Sequence, residues 1–242
     1  MSLLVLMYHR AREGRHGNSP AMLDAHFAHV AANCPNVLPG DVLHPGAVNV
    51  CLTFDDGYFD FYAMVFPLLQ KYQLRALLAI PPNVVRPSVD VAHSMRIAVE
   101  SDEAFENPGR GGFCTWPELE EMAESGRVSF AAHGFTHCRL DRPDVNLEWE
   151  IDQPKTELTT RLHLPIESFV FPFGRFSDLS LARARPRYRY LFRIGGALNH
   201  GWNHRVLYRV DADEMESPTS LFSPARFAGY RARYYWNRLR MR

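Results

Sequence analysis

The sequence predicts an α/β fold: a parallel sheet with crossover helices, for which a barrel is one closed form. Three observations lead there. Short continuous apolar runs, the pattern of strands buried on both faces, alternate with longer segments of helical spacing. The chain has 242 residues, and a single α/β barrel needs roughly 200–250. Ionisable residues stand at or near the ends of the apolar runs, where the active sites of such barrels lie: His9, Asp55, Asp56, His133 and Arg209.

Residues 3–7 form an unbroken apolar run closed by Tyr8-His9 and read as the first strand, with a loop over 10–20. Residues 23–32 have helical spacing, with Leu23, Phe27 and Val30 on one face and Pro35 beyond the end. A strand over 48–54 closes on Asp55-Asp56-Gly57, and a helix over 61–72 carries a stripe of Phe61, Val65, Leu68, Leu69 and Tyr72. Residues 74–80 are the third strand, stopped by Pro81-Pro82, and residues 83–112 are an excursion of loop and short helix. Thr115-Trp116-Pro117-Glu118 has the form of a capping box, so a helix runs from there to about Ser125 and ends at Gly126. A strand over 128–132 leads into His133, and a helix over 147–162 contains Pro154, which predicts a kink. Strands follow over 169–171, 191–194 and 206–210.

Composition narrows the function. Hydrophobic residues make up 46% of the chain, enough for a full core. The 27 basic and 27 acidic residues cancel, which argues against a general nucleic-acid binder. Basic residues do cluster locally. Five arginines lie between Arg183 and Arg193, and five more in the last twelve residues, without an acid there. These are either solvated surface or contact patches for anionic polymer or lipid, so the basic C-terminus is a candidate for peripheral membrane or glycolipid contact. Cys34, Cys51, Cys114 and Cys138 form no C-x-x-C pair and read as reduced residues. No leader pattern and no transmembrane run is seen, so the expected location is cytoplasmic.

Two short segments carry chemistry. In Thr53-Phe54-Asp55-Asp56-Gly57, adjacent carboxylates stand at a strand end, where a cation or proton is needed to offset their repulsion. Alone this also fits a solvated turn. In His133-Gly134-Phe135-Thr136-His137, two histidines four apart face one way on a helical turn and can share a metal ion. With 11 histidines in the chain, that spacing arises by chance as well. Together the segments offer two imidazoles and a carboxylate, the donor set of a hydrolytic metal site with open positions.

These motifs resemble those of the polysaccharide deacetylases, the NodB-homology or carbohydrate esterase family 4. T-F-D-D-G stands at 53–57, H-x-x-x-H at 133–137, and a form of the third motif at Phe171-Pro172-Phe173-Gly174. The resemblance spans residues 4–210. It implies a distorted (β/α) barrel of seven strands and a divalent metal, usually zinc with cobalt or nickel as alternatives, held by Asp56, His133 and His137. It implies Asp55 as the general base, and the backbone N–H of Phe173 as an oxyanion donor. The activity implied is removal of N-acetyl groups from an N-acetylated sugar in an oligo- or polysaccharide or glycolipid, during surface polysaccharide biosynthesis. Residues 1–210 would form the barrel and 211–242 an extension packed on it.

The sequence departs from the family pattern twice. The arginine that usually precedes the third motif is replaced by Val170 or Phe171, and Arg209 is the candidate to orient the base instead. The L-x-H motif that usually supplies a general acid near the C-terminus is missing. Leu6-Met7-Tyr8-His9 ends the first strand in the same way, and in a closed barrel first and last strands are neighbours, so His9 is the candidate acid. Trp116, Trp149, Trp202 and Trp236 are candidates to stack on sugar rings, Trp202 foremost; residues 113–116 are expected to line the cleft, and Arg175 to meet an anionic substrate. Two other readings remain open here: an amidase or deformylase acting on a small substrate, and a non-catalytic carbohydrate-binding relative. Oligomeric state is not readable.

Overall fold

A computed structural model describes residues 1–240. Seven parallel strands close into a barrel in sequence order, with helices outside. The chain runs β1 (Ser2–Tyr8), α1 (Pro20–Asn33), β2 (Val48–Phe54), α2 (Phe66–Tyr72), β3 (Ala76–Ile80), α3 (His93–Ala98), α4 (Ser101–Glu106), α5 (Trp116–Glu124), β4 (Val128–Ala132), α6 (Gln153–Leu162), β5 (Ser168–Val170), α7 (Asp178–Ala184), β6 (Tyr190–Ile194), β7 (Leu207–Asp211) and α8 (Pro224–Arg240). β1 pairs with both β2 and β7, in the registers Val5↔Cys51 and Val5↔Arg209, which closes the ring.

Strand alternation divides the core in two. Leu3, Val5, Cys51, Leu77, Ala79, Ala131, Val170, Phe192 and Leu207 fill the barrel. Their neighbours Leu4, Leu6, Val50, Leu52, Leu78 and Phe130 face the helices. The inward parity continues past the apolar layers. His9 follows Val5 by four residues, Thr53 and Asp55 follow Cys51, His133 follows Ala131, and Arg209 follows Leu207. A period of two thus sends all of these toward the same mouth.

The structure differs from the sequence expectations in instructive ways. The helix expected over 61–72 begins with a π turn, Phe61–Val65, in which the Phe66 N–H bonds the Phe61 carbonyl. The helix expected over 147–162 does the same over Glu148–Asp152, and the Gln153 N–H bonds the Glu148 carbonyl. Both widened turns stop one residue short of a proline, Pro67 and Pro154. A ring nitrogen cannot donate and its ring crowds the carbonyl four residues back, so the turn before it opens. The expected kink at Pro154 takes this form. β3 starts at Ala76 rather than residue 74, because Gln73 caps α2 in the left-handed region (φ 54°). The capping box at Thr115 is formed, with the Thr115 N–H donating to Glu118 Oε2 at 2.7 Å. α7 and α8 have no counterpart among the elements read from the sequence.

Candidate active site

The mouth of the barrel gathers Asp56, His133 and His137. One donor atom from each lies within 4.8 Å of the others. Asp56 Oδ1 is 3.5 Å from His133 Nε2 and 3.2 Å from His137 Nε2. Asp55 points inward by strand parity; Asp56 follows it because both Asp56 and Gly57 turn through the left-handed region, at φ 72°.

The histidine pair does not sit on a helical turn, contrary to the reasoning from spacing. Residues 133–137 are irregular, with Gly134 at φ 71° and His137 at φ 60°. The loop is tied down from behind by Glu150, which sequence reasoning missed. Its Oε2 accepts from the N–H groups of Phe135 and Thr136 at 2.9 and 3.0 Å, and its Oε1 from the Thr136 hydroxyl at 2.6 Å. The His137 ring is held between Phe105 of α4, stacked at 4.8 Å, and Phe173, at 4.7 Å. Phe105 comes from the excursion before α5 and carried no sequence signal.

These residues fit a divalent cation. Asp56 Oδ1 is buried without a hydrogen-bond partner. His133 Nδ1–H donates to the Val170 carbonyl at 2.8 Å, which fixes the tautomer and leaves Nε2 as the free lone pair. Burial, the largest influence, lowers His133 to about 4 despite the nearby carboxylates, so the ring is neutral. Two imidazole nitrogens and one carboxylate oxygen suit Zn²⁺ or a similar first-row ion.

Beside this group, Arg209 grips Asp55 with both terminal nitrogens, at 2.6 Å to Oδ1 and 2.8 Å to Oδ2. Burial opposes ionisation of Asp55, but the charges of Arg209 and His9 and the bonds from Arg209 outweigh it and hold the carboxyl far below its ordinary value. His9 Nε2 lies 3.8 Å from Asp55 Oδ2. On its other side, His9 Nδ1–H donates to Asp213 Oδ2 at 2.6 Å, and the His9 backbone N–H donates to Asp213 Oδ1 at 3.0 Å. Burial works against the imidazolium, yet the bond to Asp213 and the charges of Asp55, Asp213 and Asp56 prevail and raise His9 to about 9. Asp213 was also missed; the only hint was an acid two residues beyond an ionisable strand end, in Asp211-Ala212-Asp213.

Phe173 sits at the rim, 55% exposed and at φ 57°. Several other expectations fail. Trp202 lies at the opposite end of the barrel: its indole donates to the Asp41 carbonyl at 3.0 Å and its ring packs on Tyr190, the first residue of β6. The residues at 113–116 are buried rather than exposed on a cleft wall. Phe113 stacks on Tyr58, and Trp116 lies under the Arg161 guanidinium. Trp149 is exposed and packs at 4.6 Å against Phe135 of the histidine loop. Trp236 is exposed on α8 and Arg175 on the loop after the third motif.

The sequence model of the polysaccharide deacetylase family matches residues 44–187, more than half of the chain. The chain belongs to that family. Among curated relatives of this deacetylase-family chain, the poly-β-1,6-N-acetyl-D-glucosamine N-deacetylase of Escherichia coli K12 is 39% identical over 84 residues, 35% of the chain. The match covers only 11% of that relative's length. Among solved structures, IcaB from Ammonifex degensii superposes with a TM-score of 0.73 at 19% identity, covering 91% of this chain and 95% of that one. The Streptococcus pyogenes deacetylase PplD, in complex with acetate, gives 0.72 at 22%, covering 91% and 96%. At such identities the structural likeness speaks to the barrel. β1, β6 and β7, which carry His9 and Arg209, lie outside the segment matched by the family.

Proposed function

We propose that this chain is a metal-dependent carbohydrate N-deacetylase, with Asp56, His133 and His137 holding the ion, Asp55 as general base, His9 as general acid and Arg209 orienting the base. The observation that carries this reading is the convergence of the three donor atoms within 4.8 Å of one another, with Asp55 and His9 close alongside. A divalent cation bound there supplies Lewis-acid polarisation of the acetyl carbonyl and lowers the pKa of water.

The remaining work falls to side chains. Asp55 stays ionised and accepts a proton from the attacking water at Oδ2, the oxygen that faces His9 and His133, through the lone pair not bonded to Arg209. Its bidentate contact with Arg209 lowers its basicity but fixes its direction, so position rather than proton affinity is what Arg209 contributes. His9 is protonated at neutral pH and delivers its Nε2 proton to the departing amine. Asp213 holds the ring through Nδ1, the same orienting role that a carboxylate plays in a catalytic triad. The Phe173 N–H is the proposed donor to the developing oxyanion.

The substrate class rests on the family and on the activity of the Escherichia coli relative, an N-deacetylase of an N-acetylglucosamine polymer. We assign this chain an N-acetylhexosamine in an oligomer, a polymer or a glycolipid made for the cell surface. The test is acetate release from a panel of N-acetylglucosamine oligomers and simple amides after adding Zn²⁺, Co²⁺ or Ni²⁺. The reading predicts turnover of the sugars, loss with a chelator, and a drop of at least about 10²-fold in Asp55→Asn. Turnover of the amides alone, or an unchanged Asp55→Asn rate, would overturn it.

A further inference from the structure

α8 rests on the barrel by one face. Tyr230 and Tyr234 are buried, and Phe227 and Asn237 are half-buried; their spacing of three, four and three marks one side of a helix. Asn237 donates to the Gly195 carbonyl at 2.9 Å, and the Tyr234 ring meets Tyr208 edge-on. With about 100° of turn per residue, the opposite side carries Ala225, Ala228, Ala232, Tyr235, Trp236 and Leu239. Tyr235, Trp236 and Leu239 are 62%, 55% and 63% exposed.

An ordinary surface helix turns its charges to the water there. In α8 the charges flank an apolar stripe instead. Arg231 and Arg238 run along one margin and Arg226, Arg233 and Arg240 along the other, and the helix has no acid. The Arg240 guanidinium lies 4.7 Å over the Trp236 ring. Grooves of about 800 and 750 Å³ follow the two margins, one holding Arg205 and Arg238, the other Arg193, Arg226 and Arg233 against a single acid, Asp211. In a chain whose total charge is zero, this is a concentrated basic rim around exposed aromatic surface.

We propose that α8 seats the chain on an anionic lipid bilayer. The Tyr235, Trp236 and Leu239 stripe enters the boundary between headgroups and acyl chains, and the flanking arginines pair with lipid phosphates. Tryptophan and tyrosine favour that boundary, and arginine extends its head group to water from beside it. Among the described residues, no helix is long and apolar enough to cross a membrane, so the contact is peripheral. A polyanionic glycan would engage the arginines but leave the stripe in water. A second copy would bring two arginine-rimmed faces together with no acid on either helix to answer them. This membrane contact is independent of the catalytic reading.

Co-sedimentation of the full chain with vesicles tests it. Binding is expected to mixed phosphatidylglycerol and phosphatidylcholine at low salt and not to phosphatidylcholine alone, with a blue shift of tryptophan emission that Trp236→Phe abolishes. The combined Tyr235→Ser, Trp236→Ser and Leu239→Ser variant should bind on the order of tenfold more weakly, and Arg231→Gln or Arg238→Gln about fivefold, with circular dichroism unchanged. An emission shift in the unsubstituted chain supports the proposal even if the triple variant misfolds. No co-sedimentation, or a folded triple variant that binds as well as the parent, overturns it. So does a parent that is a dimer by light scattering and becomes a monomer in the triple variant.

Discussion

The chain contains the same five-residue pattern twice, at opposite ends of the barrel. His133-Gly134-Phe135-Thr136-His137 follows β4, and His200-Gly201-Trp202-Asn203-His204 precedes β7. At the first, both Nε2 atoms face Asp56 Oδ1 within 3.5 Å. At the second, the partners are aromatic. The His200 and His204 rings lie 4.5 and 5.6 Å from Tyr234, and the His200 N–H is 3.3 Å from His204 Nε2. Among the described residues, no acid joins the second pair in a metal-binding group. Burial, then His200 and Arg238, lower His204, as burial lowers His133; what the second pair lacks is the carboxylate donor that the first pair has in Asp56. Spacing therefore does not make a site. What makes one is the position after a parallel strand, where inward parity aims Asp55 and the left-handed turn at Asp56 and Gly57 brings Asp56 in beside it.

The largest expected effect separates the two pairs. His133→Ala should abolish deacetylation, a loss of three orders of magnitude or more on the scale of a missing metal ligand, while His204→Ala stays within about twofold of the parent; acetate release from one N-acetylglucosamine oligomer measures both. If the two losses were comparable, the two histidine pairs would not differ in function.

Next in size is Arg209→Met. It strands the buried Asp55 carboxylate, and breaking such a pair costs about 3–5 kcal/mol. Denaturant unfolding should register that loss, with a fall in kcat accompanying it. A variant as stable as the parent would mean that Arg209 does not neutralise Asp55 in solution.

The mildest expectation is a displacement along the pH axis. His9 is raised to about 9, so the rate should hold through neutral pH and fall as His9 deprotonates above it. Asp213→Asn removes a charge that favours the imidazolium and leaves at most a weaker, neutral acceptor for Nδ1–H, so this alkaline limb should move to lower pH. The linked stability has the same sign. A pKa raised by folding contributes fully below 6.5 and is lost as pH rises through about 9. An alkaline limb that does not move would assign it to another group.

Much of the fold was legible because parallel strands buried on both faces leave continuous apolar runs, and the proline and glycine breaks bracket them. β2 and β4 carry their boundaries in the sequence for that reason. The residues at 53–57 and 133–137 stood out through dense, unusual chemistry. His9 and Arg209 were reachable because each stands at the end of an apolar run, where a barrel strand opens onto the mouth. Asp213 and Glu150 were not, since each is one acid among 27 acidic residues, and only closure of the barrel brings it to its partner. Trp202 misled because a glycine- and asparagine-rich loop can belong to either end of a barrel, and the apolar pattern does not say which. α8 escaped notice because its buried stripe is made of Phe227, Tyr230 and Tyr234 among arginines, so its mean hydropathy resembles a loop.

Anomalous scattering from crystals grown with Zn²⁺ tests the shared metal site most directly. One strong peak is expected within bonding distance of Asp56 Oδ1 and the Nε2 atoms of His133 and His137, absent in Asp56→Asn. A peak at His200 and His204 instead, or no peak at the barrel mouth with the protein saturated in zinc, would contradict it.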